Sequence, residues 1–193
     1  MKATIYMDDL RRIVKQLKPF CADASFSTHH SFIKMRFRAS EQFECIGRAY
    51  ATNGRIAAVE EFHFTADEDF EFFLRPSEIE RFKGAEAVIA TRDGNAMILD
   101  ADGISVRYEV ENPDKFIDID AKFPDKEPAF RIGLNAKYLM TALKSMQDSR
   151  FNYFSEIQLF GELEPAVMKS KTGARLIMPI RLRSESRSEE DDA

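Results

Sequence analysis

Cysteine, histidine and glycine are scarce in this chain of 193 residues, with two, three and eight of them respectively. Two cysteines, Cys21 and Cys45, cannot build a disulfide framework, and they lack the Cys-x-x-Cys spacing of a structural zinc site. His29 and His30 could join Cys21 at a metal, but no standard ligand spacing surrounds them, and a polar loop is the simpler reading. There is no Gly-rich phosphate loop, no nucleophile elbow and no histidine in a catalytic context. No apolar run approaches the roughly 20 residues a membrane span needs, and Met1-Lys2-Ala3-Thr4 lacks the apolar stretch of a signal peptide, so a cytoplasmic protein is expected. Asp100 and Asp102, and Asp118 and Asp120, have the Asp-x-Asp spacing that can hold a divalent metal on a loop, which leaves a metal-dependent enzyme of nucleic-acid processing as a minor alternative.

What the chain has is apolar mass and an uneven charge distribution. Apolar residues make up 44% of it and include seventeen phenylalanines, enough for a sizeable core. The formal charge of −5 argues against a surface that is positive all over. The tail at 183–193 holds five carboxylates against two arginines and no large apolar residue, and reads as a disordered acidic appendage. Without it the body carries only about −2, which leaves room for a locally basic face.

Periodicity divides the body into three passes of one unit, a strand and a helix followed by three strands. The first pass places a strand at 3–6, a helix at 8–18 opened by an Asp cap and closed by Pro19, and strands at 32–38, 43–51 and 55–64. Lys34, Arg36 and Arg38 alternate with Ile33, Met35 and Phe37 as in a half-buried strand. The second places a strand at 70–74, a helix at 76–82 with an early proline, and strands at 87–91, 96–100 and 104–110, with Asp93-Gly94-Asn95 as a hairpin turn. Residues 112–128, with three prolines and alternating charge, form a linker. The third places a strand at 130–133, a helix at 135–146 and strands at 156–160, 166–169 and 175–182. The domain reading is a full two-repeat domain at 1–125, a half domain at 126–182 and the tail.

Cationic stripes run along these helices. In the first, Leu10, Ile13, Val14 and Leu17 form an apolar face, while Arg11, Lys15 and Lys18 form another with Arg12 beside them. The third repeats this, with Leu139, Met140, Leu143 and Met146 against Lys137, Thr141 and Lys144. The second offers Arg75, Arg81 and Lys83 near Ile79 and Phe82.

Three ordered motifs carry a family resemblance: the turn Ala51-Thr52-Asn53-Gly54-Arg55, the segment Lys122-Phe123-Pro124-Asp125, and the terminal strand Arg175-Leu176-Ile177-Met178-Pro179-Ile180-Arg181-Leu182. In this order they resemble the bacterial DNA polymerase III beta sliding clamp, over residues 6–182. The resemblance implies an α+β DNA-clamp fold, with antiparallel sheets outside and helices on one face, and a non-enzymatic processivity factor that needs no cofactor. It implies that Arg11, Arg12, Lys15, Lys18, Arg75, Arg81, Lys83, Lys137 and Lys144 face duplex DNA and meet phosphates without reading bases. It also implies a pocket for a short peptide of DNA polymerase or another replication protein. Thr52, Gly54, Arg55, Ile56 and Ala57 would form one wall, Pro124 the linker side, and Leu176 and Met178 the floor. Arg55-Ile56-Ala57 stand where the family has His-Arg-Leu. The chain holds one and a half clamp domains where the family has three. An unmatched third repeat leaves an open sheet edge and predicts a symmetric homo-oligomer. A clamp-fold module that captures peptides without encircling DNA is the main alternative.

Overall fold

A computed structural model describes residues 1–39, 45–146, 156–170 and 173–182; the acidic tail lies outside the described residues. The chain divides into two compact units, Met1–Phe123 and Pro124–Ala193.

The first unit is built from β1 (Lys2–Tyr6), α1 (Met7–Leu17), β2 (Ile33–Phe37), β3 (Cys45–Thr52), β4 (Ala57–Ala66), β5 (Phe70–Leu74), β6 (Ala87–Asp93), β7 (Ala96–Ala101) and β8 (Ile104–Glu109). Its strands form one antiparallel sheet in the order β5-β2-β3-β4-β1-β6-β7-β8. The order reflects an internal duplication. Each half contributes a first strand that pairs with the second strand of the other half: β1 with β6, and β5 with β2.

Alternation decides which face is core. In β2, Ile33, Met35 and Phe37 are buried, whereas Lys34 and Arg36 lie on the other face. Phe37 stacks on Phe70 at 4.6 Å and meets Phe62 and Phe64 edge-on at 5.6 and 5.0 Å. Gly47, opposite Phe62 in the β3–β4 ladder, makes room for this cluster: a Cβ there would lie 2.6 Å from Phe62 Cζ. Helix α1 closes the core with Met7, Leu10, Ile13 and Leu17.

Two expectations about helices need correction. The N-cap of α1 is Tyr6, which makes no side-chain cap bond; Asp8 and Asp9 lie inside the first turn instead. Asp9 Oδ2 there accepts the His63 N–H of β4 at 3.2 Å, so it ties the helix to the sheet. The second helix, Pro76–Phe82, is a 3₁₀ segment. Seven residues opened by proline are too few to settle into an α-helix by propensity, and the buried Pro76, Ile79 and Phe82, three apart, suit three residues per turn.

Of residues 112–128, expected as linker, the part at 116–120 packs on the outer face of the sheet. Phe116 and Ile119 are buried, and Phe116 meets the rings of Phe73 and His30 edge-on. Asp120 Oδ2 accepts from Arg36 Nη1 and from Tyr50 Oη, each at 2.7 Å. Burial and that hydrogen bond push the Tyr50 hydroxyl up to about 12.

The second unit carries β9 (Gly133–Leu134), α2 (Ala136–Met146), β10 (Glu156–Gln158), β11 (Ala166–Ser170), β12 (Gly173–Ile177) and β13 (Pro179–Ile180). Asn135 caps α2: its Oδ1 accepts the N–H groups of Lys137 and Tyr138 at 3.0 and 3.3 Å. The strand expected at 175–182 is split. β12 pairs with β11, Met178 is unpaired, and β13 pairs with β9. Pro179 has no N–H to extend the first ladder, so the chain changes sheets there. The core cluster described here is small: Ala142, Met168 and Ile177 buried, with Leu134 and Leu139 against them. On α2 Leu139 and Ala142 turn inward, while Met140 and Leu143 are exposed.

The two ends of the first unit's sheet, β5 and β8, share no ladder. Tyr108 of β8 closes that gap: its hydroxyl donates to Phe73 O at 2.9 Å and accepts the Arg75 N–H at 3.1 Å. Tyr108→Phe keeps the ring but orphans two backbone groups at a buried site. We expect it to lower unfolding free energy by about 1–3 kcal/mol, measured by denaturant titration; an unchanged midpoint would show that water replaces the hydroxyl.

Candidate functional site

The turn Thr52-Asn53-Gly54-Arg55 joins β3 to β4 and is held by its own side chains. Thr52, 3% exposed, donates its hydroxyl to Ile56 O at 2.8 Å and accepts the Gly54 N–H at 3.0 Å. Asn53 Oδ1 accepts the N–H groups of Arg55 and Ile56 at 3.0 and 3.1 Å. Gly54 has φ +84°, the left-handed region. Thr52 and Gly54 therefore build the turn, and what the turn offers outward is Arg55, Ile56 and Ala57, all exposed.

The second unit holds a concavity with a mainly apolar lining. A cleft of about 650 Å³ runs between α2 and the last strands, lined by Tyr138, Thr141 and Ala142 on one side and Leu176, Met178 and Ile180 on the other. Leu176 and Met178 are 61% and 63% exposed. The break between β12 and β13 puts Met178 in the cleft wall and leaves its backbone outside both ladders. Arg175 frames one end: Nε donates to Ser145 Oγ at 2.9 Å and Nη2 to Ser145 O at 3.4 Å, at the C-terminal turn of α2. An apolar trough with a polar end suits an extended peptide with apolar anchors. Of the residues named for the pocket, Leu176 and Met178 come together in this cleft. Thr52 to Ala57 belong to the first unit, and Pro124 begins the second. Tyr138 and Ile180 also line the cleft, a role that spacing alone does not reveal.

The cationic residues separate into two kinds. Arg12 is spent on structure: it pairs with Asp9 at 2.7 Å and Glu60 at 3.1 Å and donates to Glu61 O at 2.6 Å. Arg75 lies over the rings of Tyr108 and Phe32 at 4.7 and 5.6 Å. Arg11, Lys15, Lys18, Arg81 and Lys83 are exposed on the first unit, where Arg11 donates through Nη2 to Lys83 O and so joins α1 to the end of the 3₁₀ segment. Arg81 pairs with Glu78 and Lys83 with Glu80, each at 2.8 Å. Lys83 holds the Glu80 carboxyl below its usual range, with Lys18 and Arg11 adding to the effect. Lys15 and Lys18 are exposed and make no ion pair with a described residue. Lys137 and Lys144 are exposed on α2.

The acidic and thiol candidates serve other ends. Asp102 occupies a left-handed turn position with φ +49°, and Asp120 is paired as described above. Cys21 donates its thiol to Leu17 O and Phe32 O at 3.8 Å, and burial pushes it up to about 11. Among the described residues no group of three or more His, Cys, Asp and Glu is placed to hold a metal. No helix of the described residues is long and apolar enough to cross a membrane.

No protein-family model matches the chain, and no curated protein matches its sequence. Solved structures do match. The beta chain of DNA polymerase III from Streptococcus pneumoniae superposes with a TM-score of 0.69 at 13% identity, over 94% of this chain and 50% of that one. The beta subunit from Thermotoga maritima gives 0.64 at 12%, over 95% and 66%. The Helicobacter pylori beta clamp bound to a DNA ligase peptide gives 0.59 at 13%, over 95% and 54%. The chain thus has the α+β fold of DNA polymerase III beta sliding clamps, and spans about half to two thirds of their length.

His30 gives a test of the packed loop. Its Nδ1 meets Ser27 Oγ at 3.2 Å, while Nε2 is buried with no partner among the described residues. Burial, with His29 adding, lowers its pKa. The unfolded chain therefore binds the proton more readily, so stability falls as pH drops through about 6.5. Denaturation midpoints should fall from about pH 7.5 to about pH 5.5, and less steeply in His30→Phe. Identical slopes would assign the effect to another group.

Proposed function

We propose that this chain is a non-enzymatic, cytoplasmic, sliding-clamp-like processivity factor: it associates with duplex DNA without sequence preference and tethers DNA polymerase or another replication protein through a short peptide. The observation that carries the reading is the cleft between α2 and the split terminal strand, with Leu176 and Met178 exposed in its wall. It occurs in a fold shared with a clamp whose structure holds a DNA ligase peptide. Apolar side chains that stay exposed beside a concavity are best explained by a ligand that covers them.

The DNA half of the reading rests on Arg11, Lys15, Lys18, Arg81, Lys83, Lys137 and Lys144. Their partial neutralisation by Asp8, Glu78 and Glu80 fits weak contact governed by topology. Such a protein needs to associate with itself to surround a duplex. A peptide-capturing module that never closes around DNA remains the second reading, favoured by the cleft lying within one unit.

Two measurements separate these. A peptide of the Gln-Leu-x-Leu-Phe type should bind the full chain, and Met178→Asp should weaken it tenfold or more by leaving a carboxylate unpaired in an apolar wall. Equal affinities would rule the cleft out. Binding to duplex DNA should be weak and steeply salt-dependent, and Lys15→Ala or Lys137→Ala should each flatten the log-log salt slope by about one unit. Arg12→Ala should instead lower thermal stability with little change of slope. Tight, salt-resistant DNA binding would contradict the phosphate-only reading.

A further inference from the structure

The first unit shows how two half-domains of this fold join, and the described residues of the second unit form one such half. We propose that the second unit completes itself with the second unit of another copy of this chain, residues 131–133, which lead into β9, pairing in each copy with β10 of the other about a two-fold axis. The inference gives a surface to the self-association proposed above.

Counting through the ladders matches the second unit to the first half of the first unit. β1 pairs with β4 through Ile5 and Phe64, as β9 pairs with β13 through Leu134 and Pro179. Phe62 then corresponds to Ile177, and their partners Gly47 and Ala166 correspond to each other. By the same count Met35, opposite Ala49, corresponds to Ile157, opposite Met168. The helices agree as well: α1 and α2 each have 11 residues, and Leu10 and Ile13 correspond to the inward Leu139 and Ala142.

In the first unit the outer edge of β2 is occupied by β5, with Lys34 opposite Phe73, Met35 opposite Phe72 and Arg36 opposite Glu71. Among the described residues nothing pairs with the corresponding edge of β10, which ends its sheet. Leu134 precedes the capping Asn135 as Leu74 precedes Arg75, so Gly133, Ile132 and Arg131 stand for Phe73, Phe72 and Glu71. The transferred register puts Glu156 opposite Gly133, Ile157 opposite Ile132 and Gln158 opposite Arg131 of the partner copy. Ile157 and Ile132 then both face inward, as Met35 and Phe72 do.

Two independent features fit. In the first unit Lys34 pairs with Glu71 at 2.8 Å across the two halves. Their counterparts are Glu156 and Arg131, the same pair with its charges exchanged, which is complementary only if these two edges meet. On the helix, Arg11 reaches Lys83 of the other half and Val14 lies beside it on that flank. Their counterparts, Met140 and Leu143, are exposed apolar side chains on the flank of α2 away from the cleft. With Ile157 they give each copy an apolar seam around the paired strands, which a specific interface of roughly 1,200 Å² or more requires.

The full chain should run as a dimer or a multiple of it by light scattering at tens of micromolar. Ile132→Cys combined with Ile157→Cys should give a covalent dimer under mild oxidation; either single variant, or Arg131→Cys with Ile157→Cys, should not. Glu156→Arg and Arg131→Glu should each weaken association several-fold and restore it when combined. Met140→Glu, at an exposed position that folding does not require, should weaken it tenfold or more. A monomeric wild-type chain overturns the proposal, as does an oligomer in which residues 132 and 157 never cross-link. A cross-linked dimer without affinity for DNA or peptide supports the interface and counts against the tethering reading alone.

Discussion

The first unit depends on how the outer edge of β5 is satisfied. Pairing β5 with β2 leaves the carbonyls of Glu71 and Phe73 and the N–H of Arg75 pointing away from the sheet, at the place where duplication would put β8. Arg92 Nη1 donates to Glu71 O at 3.0 Å, and the Tyr108 hydroxyl serves the other two groups. Side chains thus replace a ladder. The Tyr108 ring fills the space between Phe32 and Arg75, so closing the edge and packing the core are one event. Burial raises the Tyr108 hydroxyl's pKa and keeps it a donor at any physiological pH. An edge finished this way cannot recruit another strand.

That closure explains why the two units differ in what they expose. In the first, both halves are present, and the apolar surface of one is spent on the other. In the second, α2 and its short sheet bury few side chains among the described residues and keep Met140, Leu143, Leu176 and Met178 in solvent. A sheet of three short strands with one helix is marginal by itself. Its exposed positions therefore mark where stabilisation is to come from outside the unit.

Much of the fold was legible because it rests on local pattern. The two-residue alternation of 33–38 set β2, the spacing of Leu10, Ile13 and Leu17 set α1, and the Thr-Asn-Gly turn has a side-chain mechanism contained in four residues. The illegible parts depend on distant partners. Nothing near Arg12 tells that Glu60 and Glu61 will take its guanidinium, so a surface stripe and a helix-to-sheet tie look alike in sequence. Tyr108 looks like any strand tyrosine until β5 is placed beside it. Residues 112–128 looked like linker because prolines and charges dominate them, yet Phe116, Ile119 and Asp120 suffice to hold their first part down. Within the candidate site Leu176 and Met178 were legible through motif, and the opposing wall from α2 was not.

The cleft and the open edge are coupled through α2. One flank of that helix, with Tyr138 and Thr141, faces Leu176 and Met178; the other, with Met140 and Leu143, corresponds to the flank of α1 through which Arg11 reaches Lys83 in the first unit. Leu139 and Ala142 between them form the contact with the sheet. A helix anchored by so small a core holds its position only as firmly as its flanks are supported. In the proposed dimer, covering Met140 and Leu143 would fix α2, and with it the width of the cleft, and so remove an ordering cost from the proposed peptide binding. Because linkage is reciprocal, a bound peptide would then strengthen the association by the same factor.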